Sequence, residues 1–360
     1  MIQVRALVTG GAGFIGSHIV DALLARGDHV RVIDNLDPKV HGGQIPPFSG
    51  DIEFIHGDLL SPPILRDALK EPFEAVFHEA AMVGLGKGGA DAEAYITTNI
   101  IGTARLMHTI AEQQGRPRMV LASTMAIYGE GAYVCKACGK QQPGTRYEAD
   151  LRKGLWDPLC NCCKHNLDPR AVTEDHPPNP GTIYGISKLA QELLCMALGR
   201  EADIPVVALR YHNVYGPRMP RDTPYAGVAS IFKSRLISGL PPLVYEDGNQ
   251  LRDFIHVDDI AQANLLVADA PDADVAFQAF NVGTGRPHKI VDFARELANT
   301  LAPTIQPQLP GSFRLGDARH IFANTSKIEQ LGFKPRVAFE EGVSRFANEP
   351  TRTPPRVVFS

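Results

Sequence analysis

The sequence predicts an α/β protein with a doubly wound parallel sheet, a smaller α/β lobe and a cysteine-containing insertion. Three observations carry this prediction. The first 130 residues alternate short β-branched runs with helical stretches, a glycine-rich turn follows the first run, and the alternation stops at Gly131. Strands that alternate with helices of this length form βαβ units, which assemble into parallel sheets.

Composition limits the class of protein. At 360 residues the chain is longer than most single domains, so two lobes packed together are expected. Hydrophobic residues make up 44% and charged residues 21%, and the formal net charge is −4. These values indicate a globular protein, not a disordered chain or a polyanion binder, so no nucleic-acid partner is expected.

The N-terminus "MIQVRALVTGGAGFIG" lacks the basic and long apolar regions of a signal peptide, and no run of about 18 apolar residues occurs later. We therefore expect a cytoplasmic protein without a membrane partner. Because disulfides are rare in that compartment, the six cysteines are expected to bind a metal or to be buried.

The predicted elements follow in order along the chain. Strand patterns occur in "RALVTG", "HVRVID", "AVFHEAA" and "RMVLAST", with helical patterns in "SHIVDALLARG" and "TARLMHTIAEQQG" between them. The helix "YGISKLAQELLCMALGREA" and the strand "PVVALRY" follow the insertion. We expect residues 1–210 to form the main lobe, interrupted by the insertion at 131–170. Residues 211–345 should form mainly the smaller lobe, with some segments returning to the main one, and residues 346–360 a tail.

The turn in "VTGGAGFIGSH" joins the first predicted strand to the first predicted helix. It fits G-x-G-x-x-G through Gly11, Gly13 and Gly16, and G-x-x-G-x-x-G from Gly10. Such a turn lets the backbone approach a pyrophosphate, and the helix N-terminus offers free N–H groups to the anion. The main lobe is therefore expected to be a Rossmann fold that binds a dinucleotide.

Asp34 ends the next predicted strand, 18 residues after Gly16. There its carboxylate can accept hydrogen bonds from both ribose hydroxyls and would repel a 2′-phosphate, so NAD is favoured over NADP. Asp58, just past the following strand, is placed to meet the adenine, although capping a helix explains it nearly as well.

Seven short motifs occur in order along the chain: "TGGAGFIG", "HEAA", "NIIGT", "STMAIYG", "YGISK", "RYHNVYGP" and "RDFIHVDD". In this combination the chain resembles the extended short-chain dehydrogenase/reductases that act on nucleotide sugars. The resemblance covers most of the chain apart from the insertion. It implies an NAD cofactor held by Gly10, Gly13, Phe14, Ile15, Gly16, Asp34, Asn35, Asp58, Leu59, Ala80, Asn99, Tyr184, Lys188 and Tyr211.

Tyr184 and Lys188 lie four residues apart on a predicted helix and therefore share a face. An ammonium near a phenol stabilises the phenolate and lowers a pKa that starts at about 10, so Tyr184 is expected to take a proton from a sugar hydroxyl. A Tyr-x-x-x-Lys found alone is usually structural, but here it stands among the other motifs. The resemblance adds Thr124, which would share the substrate's hydrogen bond with Tyr184, while Ser123 would face the other way along its strand.

The two positions after Thr124 discriminate between reactions. Relatives that dehydrate the sugar carry an Asp-Glu pair there, whereas this chain has Met125 and Ala126, which cannot transfer protons. The resemblance therefore implies 4-epimerisation, with ketone reduction as the alternative. Because a reductase often uses NADPH, Asp34 favours the epimerase. An NAD-binding regulatory or scaffold protein is a further alternative, but it would have little need of the three predicted catalytic residues together.

The resemblance places Asn213, Arg252 and Arg314 at the nucleotide diphosphate of the substrate, although each arginine could equally be a surface ion-pair partner. Gly84, in "MVGLGKGG", should line the sugar pocket, where few polar side chains favour a deoxy sugar. Together with the insertion, these features resemble the branch of the family that converts dTDP-L-rhamnose into dTDP-6-deoxy-L-talose. A UDP-glucose/UDP-galactose 4-epimerase and a dTDP-4-keto-6-deoxy-sugar reductase are the alternatives.

The insertion contains two C-x-x-C pairs with 21 residues between them, which is the spacing of a four-thiolate zinc site. Such a closed, zinc-ribbon-like site would be structural. Cys162 would be a spare thiol, His165 could replace one ligand, and reduced thiols without a metal are the alternative. The predicted zinc ligands are Cys135, Cys138, Cys160 and Cys163.

The insertion stands where relatives in the family have only a short loop beside the sugar. We expect it to hold a lid over the pocket or to form a subunit contact. Residues 133–170 carry seven Lys/Arg against four Asp/Glu, but this excess is small for a nucleic-acid-binding module and aromatic residues are few.

The resemblance also implies a homodimer built on the Tyr184 helix and on "NIIGTARLMHTIAEQQ". Cys195 is expected to be buried.

Overall fold

A seven-stranded parallel sheet forms the centre of the molecule. Its strands lie in the spatial order β12 (Gln278–Val282), β9 (Val206–Tyr211), β5 (Arg118–Thr124), β4 (Ala75–His78), β1 (Arg5–Thr9), β2 (His29–Asp34) and β3 (Glu53–His56). The chain order reverses between β1 and β4, and ligands of doubly wound sheets bind at such a switch point. The predicted doubly wound α/β fold is confirmed. The computed structural model describes residues 4–41, 45–84, 88–112, 116–221 and 227–350.

Helices cover both faces of this sheet. α1 (Phe14–Arg26) and α9 (Val257–Asp269) pack on one face, and α3 (Pro62–Ala68), α5 (Gly102–Glu112) and α7 (Ile183–Ala202) pack on the other. Each side encloses its own core of buried aliphatic side chains. Strands that are buried on both faces read as continuous apolar runs, which is the pattern that the sequence shows.

The smaller lobe is built on a second sheet, which contains β10 (Asn213–Tyr215), β11 (Leu251–His256), β13 (Pro287–Lys289) and β14 (His320–Ile321). α8 (Val228–Ile237), α11 (Ile290–Leu301) and α13 (Phe339–Asn348) enclose its core. That core combines aliphatic side chains with five buried aromatic ones, namely Tyr215, Phe232, Phe254, Phe293 and Phe346.

The last described helix corrects the expected start of the tail. α13 continues to Asn348, because Val343, Phe346 and Ala347 recur at helical spacing and are all buried in the core of the smaller lobe. Residues 346–348 therefore belong to this helix. Glu349 and Pro350 follow the helix, and residues 351–360 of the expected tail lie outside the described part of the chain.

The insertion forms a small antiparallel sheet of its own. Its strands are β6 (Ala132–Cys135), β7 (Gly139–Gln141) and β8 (Asp168–Arg170), in the order β7-β6-β8, and α6 (Glu148–Leu151) lies in the loop between them. We call residues 131–170 the cysteine module. Tyr133, Cys135, Cys160 and Leu167 form its core.

The remaining elements are short. In the described segments, no helix combines the length and the apolar character needed to cross a membrane. A π-helix spans Ile96–Ile101 and leads directly into α5. The other short elements are the helices α2 (Pro38–His41), α4 (Ala92–Tyr95), α10 (Asp272–Val275) and α12 (Ser326–Glu329), and 3₁₀ turns at Gly88–Asp91 and Met125–Tyr128.

Candidate active site

A large cavity lies at the carboxyl ends of the parallel strands and continues to the smaller lobe. Its volume is about 1370 Å³. Gly10 and Asp34 line it from the main sheet, and Arg252 and Ile290 line it from the smaller lobe. Of the residues predicted to bind cofactor or substrate, all but Asn99 lie in its wall. A cleft of this size and position is typical of a ligand site in an α/β protein.

The glycine-rich turn forms one end of the cavity, and its backbone leaves no room for side chains. Gly10 has a φ of +67°, and a Cβ added there would lie 2.6 Å from the Ala80 nitrogen. A Cβ on Gly16 would lie 2.3 Å from the Gly10 carbonyl oxygen. Since α1 begins at Phe14 without an acidic residue in its first turn, its free N–H groups suit an anion. These features fit the pyrophosphate of a dinucleotide.

Asp34 lies beside this turn, and backbone hydrogen bonds fix its carboxylate. Oδ2 accepts from the Ala12 N–H at 3.0 Å, and Oδ1 accepts from the Leu36 N–H at 2.8 Å. His41 Nε2 also lies 3.6 Å from Oδ1, whereas Oδ2 keeps a further lone pair for a ribose hydroxyl. Asp58 accepts from the Leu60 N–H at 2.8 Å and from the Asn35 amide at 2.9 Å. Asp58 is not the N-cap of α3, and it faces the cavity.

The three predicted catalytic residues meet in the middle of the cavity. Thr124 is the last residue of β5, and Tyr184 and Lys188 stand one turn apart at the start of α7. The Thr124 hydroxyl accepts from the Ala126 N–H at 3.2 Å and lies close enough to the Tyr184 phenol to lower its pKa. Ser123 points to the opposite side of the strand, where its hydroxyl donates to Glu192 at 2.5 Å. The alternation of side chains along β5 therefore selects Thr124.

The pKa of Tyr184 differs from the sequence expectation. Burial raises it to about 12, the hydrogen bond with Thr124 lowers it, and the charge of Glu79 raises it. Burial also lowers the pKa of Lys188 to about 8. Lys188 Nζ donates to the Gln191 side chain. In the chain by itself, loss of hydration therefore dominates the pKa of Tyr184, and the expected lowering by Lys188 does not appear.

Asn99 lies behind the cavity wall. Its side-chain oxygen accepts from the Met82 N–H at 2.8 Å, and its nitrogen donates to the Met82 carbonyl and to Ser187 Oγ at 3.0 and 2.9 Å. Asn99 therefore holds the loop after β4 against α7. It belongs to the π-helix, a rare conformation that is frequent at functional sites.

Sequence reasoning missed a buried polar network beneath the catalytic residues. His78 contacts Thr9 Oγ1 at 2.7 Å and Thr103 Oγ1 at 2.8 Å. Gln191 donates to Thr103 Oγ1 at 2.7 Å and accepts from Lys188. The network thus joins β1, β4, α5 and α7 and positions the ammonium. The helical spacing of Lys188 and Gln191, three residues apart, was the available signal.

Glu79 was also missed as a residue of the site. Burial raises the pKa of its carboxyl to about 7, against the lowering effects of the Tyr211 hydrogen bond and of Lys188. The Tyr211 hydroxyl donates to Glu79 Oε1 at 2.9 Å and is also bonded to Asn264. Both Glu79 and Tyr211 line the cavity, so a titratable group lies within reach of the catalytic residues.

The far end of the cavity carries groups suited to an anion. Arg252 donates to the backbone carbonyls of Leu251 and Arg319 at 2.9 and 3.1 Å, and also to that of Ala318. Within the described residues no carboxylate lies at ion-pair distance from it. Asn213 Oδ1 is buried and has no hydrogen-bond partner among the described residues. Arg314 is exposed at the rim, 5.8 Å from the Tyr245 ring.

The four predicted zinc ligands come together outside this cavity. The sulfur atoms of Cys135, Cys138, Cys160 and Cys163 all lie within 4.8 Å of one another, and the cluster does not include His165. Backbone N–H groups of the turn lower the pKa of the Cys160 thiol to about 6, whereas the Cys163 side chain raises the pKa of the Cys138 thiol. Cys162 is exposed and lies outside the cluster, and Cys195 is buried among apolar residues, as predicted for it. The arrangement suits a tetrahedral metal ion.

Comparison with known proteins gives one family match. The model of the NAD-dependent epimerase/dehydratase family matches residues 6–151 and 164–283. The unmatched stretch between them lies in the cysteine module and contains Cys160, Cys162 and Cys163. The match thus covers both motif-bearing parts of the main lobe.

Individual relatives span nearly the whole chain. A dTDP-L-rhamnose 4-epimerase from Burkholderia thailandensis is 36% identical, with 94% of this chain and 93% of the relative covered. A UDP-glucose 4-epimerase from Mycolicibacterium smegmatis is 29% identical, with 95% and 96% covered. The solved structure of a UDP-glucuronic acid 4-epimerase from Bacillus cereus, in complex with UDP-glucuronic acid and NAD, is 26% identical, with a TM-score of 0.77 and 96% and 98% covered.

Proposed function

Because the chain belongs to the NAD-dependent epimerase/dehydratase family, we propose that it is a nucleotide-sugar 4-epimerase that converts dTDP-L-rhamnose into dTDP-6-deoxy-L-talose. The observation that carries this proposal is the meeting of Thr124, Tyr184 and Lys188 in a cleft with room for a dinucleotide and a sugar. The 36% identical relative, itself a dTDP-L-rhamnose 4-epimerase, supports the choice of sugar.

The catalytic chemistry needs one proton acceptor beside C4 of the sugar. Tyr184 takes the proton of the C4 hydroxyl, and Thr124 shares the hydrogen bond to that oxygen. NAD, when bound, accepts the C4 hydride and returns it to the opposite face of the resulting 4-keto sugar. Tyr184 then gives the proton back. The reaction has no net redox change, so no cofactor has to be supplied in each cycle.

The neighbours of Thr124 argue against elimination of water. Met125 and Ala126 both line the cavity, and neither can donate or accept a proton. Removing water across C5 and C6 requires an acid and a base, which these positions would have to supply. Chemistry confined to C4 is therefore the better match.

The diphosphate of the substrate is assigned to the arginine end of the cavity. Arg252 offers a guanidinium without a carboxylate partner in the described chain, and Asn213 offers a polar side chain beside it. A planar guanidinium suits two phosphate oxygens at once. Arg314, at the rim, is the second phosphate ligand in this assignment.

The loop after β4 supports a 6-deoxy sugar. The Tyr95 hydroxyl donates to the carbonyls of Val83 and Gly84 at 3.2 and 3.0 Å, and its ring lies 6.2 Å from that of Tyr184. The loop therefore borders the reacting end of the cavity with apolar side chains and glycine. A methyl group at C6 suits such a border better than the hydroxymethyl group of a UDP-hexose.

Two further features complete the proposal. A zinc ion held by the four clustered thiols would give S–S separations of about 3.8 Å, and Cys135 Sγ lies 3.4 Å from Cys163 Sγ. Four thiolates leave no open coordination position, so this zinc is structural. A homodimer is supported by exposed apolar residues on two neighbouring helices, namely Ile96, Ile101, Ile186 and Leu193.

The test is to incubate the purified protein, without added cofactor, with dTDP-L-rhamnose, UDP-glucose and UDP-galactose in separate reactions. Proton NMR would follow the C4 epimers. We expect conversion of dTDP-L-rhamnose at a kcat/KM higher than that of either UDP-hexose. Faster conversion of a UDP-hexose would favour the alternative suggested by the UDP-glucose 4-epimerase relative. Activity on none of the three, with or without NAD, would rule out the epimerase.

The reductase alternative needs a separate reaction. A dTDP-4-keto-6-deoxy sugar is mixed with reduced cofactor, and the absorbance of the cofactor is followed. A stoichiometric loss of reduced cofactor over many turnovers would identify a reductase. We expect no sustained consumption, because an epimerase regenerates its cofactor in each cycle.

A further inference from the structure

The cysteine module packs against a segment that forms one wall of the cavity. We call residues 314–321 the wall segment. The Tyr133 hydroxyl of the module accepts from the His320 N–H at 3.2 Å, and the Trp156 ring lies 6.3 Å from that of Phe313, just before the wall segment. The module therefore supports this wall from behind. The wall-segment residues that line the cavity are Arg314, Leu315, Gly316, Asp317, Ala318 and Ile321.

Arg146 makes the first ionic link between the module and the cavity. Its side chain is 7% exposed and bonds Glu130 Oε1 at 3.1 Å and Glu246 Oε1 at 2.9 Å. It also donates to the backbone carbonyl of Asp317, in the wall segment, at 2.6 Å. Glu246 itself lines the cavity. Arg146 thus neutralises a carboxylate in the cavity wall and holds the wall segment in place.

Asp157 makes the second link. Its Oδ1 accepts from Arg319 Nε at 2.7 Å and contacts His320 Nε2 at 3.3 Å. Arg319 is only 1% exposed and also pairs with Glu246 and Asp247, at 2.9 and 2.7 Å. The two module residues therefore belong to one charge network around the buried Arg319 and Glu246, and that network includes the backbone of the wall segment.

The wall segment in turn orients Arg252. The guanidinium of Arg252 donates to the carbonyls of Ala318 and Arg319, both in the wall segment. No side-chain carboxylate of the described chain replaces these carbonyls, so the position of the guanidinium follows the position of the wall segment. A shift of even about 1 Å at an oriented charge can change binding and rate by a large factor.

The thiol cluster determines how firmly the module holds its two linking residues. Arg146 and Asp157 both lie on the 21-residue stretch between the two C-x-x-C pairs. The four clustered sulfur atoms bring the two ends of this stretch together. Closing a loop in this way removes alternative conformations that would otherwise compete with the bonded one.

From these contacts we propose that the cysteine module sets the affinity of the cavity for the nucleotide diphosphate, with Arg146 and Asp157 as positioning residues that act through the wall segment on Arg252. The inference rests on the proposed function, in which Arg252 binds the diphosphate. Loss of Arg146 would also leave Glu246 with Arg319 as its remaining cation, and a less fully neutralised carboxylate repels phosphate more strongly. Both effects weaken nucleotide binding and leave the glycine-rich turn untouched.

Calorimetric titration with dTDP and with UDP tests this inference on the intact protein. The variants are Arg146→Met and Asp157→Asn, with Arg170→Met as control, because Arg170 is exposed in the same module and, among the described residues, its side chain bonds only the Pro169 carbonyl. We expect the dissociation constant for dTDP to rise about tenfold in Arg146→Met and severalfold in Asp157→Asn, a usual size for coupling between sites. Bound NAD should stay at the wild-type level, and KM should rise while kcat stays within about twofold. Arg170→Met should match the wild type.

Removal of metal from the wild-type protein with a chelator should act in the same direction on dTDP binding. If Arg146→Met does not fold, Asp157→Asn tests the inference instead, because Asp157 is about half exposed and its substitution should leave the fold intact. Unchanged dTDP affinity in the folded variants overturns the inference and leaves the proposed function standing. Failure of the wild-type protein to bind either nucleotide overturns both.

Discussion

Tyr184 is subject to opposing electrostatic influences. Burial raises its pKa to about 12 in the chain by itself. A phenol with that pKa is almost entirely protonated at neutral pH and therefore cannot act as a base. Lys188, oriented by Gln191, and the positive nicotinamide ring of bound NAD would both favour the phenolate once the cleft is filled. We infer that Tyr184 becomes a competent base only in the complex. A sequence pattern cannot supply this, because burial and not spacing determines the largest effect.

Replacing the phenol removes the proton acceptor and little else. We expect Tyr184→Phe to lower kcat by about 10²- to 10⁴-fold, the usual contribution of a positioned acid or base. Bound NAD, measured after release from denatured protein, should stay at the wild-type level because the glycine-rich turn and Asp34 are unchanged. Tyr147→Phe is the matched control, since Tyr147 is 77% exposed. Turnover close to that of the wild type in Tyr184→Phe would refute the assigned role.

Glu79 should set the pH at which the site works best. Above its own pKa of about 7, its negative charge raises the pKa of Tyr184 and of Lys188, because an anion stabilises the protonated form of each neighbour. Glu79→Gln keeps an acceptor for the Tyr211 hydroxyl and removes the charge. Activity that requires Tyr184 deprotonated and Lys188 protonated should then have both limbs of its kcat/KM profile moved to lower pH. An optimum that stays in place or moves to higher pH would show that Glu79 does not act on these groups.

At the scale of elements, the parts with a strong local pattern could be predicted and the rest could not. The sequence predicted β1, the glycine-rich turn and α1 because the backbone geometry of that turn requires glycine. It predicted α7 from the helical spacing of its apolar residues. No comparable sequence pattern identifies the π-helix at Ile96–Ile101. Asn99 was therefore expected in the cavity, whereas it lies behind the cavity wall. The link from Arg146 to Glu246 joins residues 100 positions apart, and only the fold brings them together.

The cysteine module provides its own test of metal binding. We expect about one equivalent of zinc per chain by elemental mass spectrometry when the protein is purified without chelator, as in other four-thiolate sites. Cys138→Ser should lose most of it, because a hydroxyl is a poor zinc ligand. Cys162→Ser, one residue from a cluster member but outside the cluster, should keep it. Less than about a tenth of an equivalent in the wild-type protein would contradict the zinc assignment.

At the scale of the whole molecule, α7 has one face in the cavity and another that is exposed. One face carries Tyr184 and Lys188 into the cavity, and another exposes Ile186 and Leu193, which are 55% and 61% accessible. The neighbouring π-helix exposes Ile96 and contacts α7. Apolar side chains exposed on adjacent helices indicate a contact with another protein surface. A second copy of this chain would bury these apolar side chains and would also restrict the motion of α7, which carries Tyr184 and Lys188.

A charge placed in that surface should separate the subunits. We expect the wild-type protein to have twice the chain mass of 39.1 kDa by light scattering coupled to size exclusion, and Leu193→Glu to have the single-chain mass. Burying a carboxylate in an apolar interface costs more than such an interface gains from one leucine. Ile237→Glu is the control, because Ile237 is 52% exposed at the end of α8 in the smaller lobe. A dimer that persists in Leu193→Glu, or one that dissociates equally in Ile237→Glu, would place the interface elsewhere.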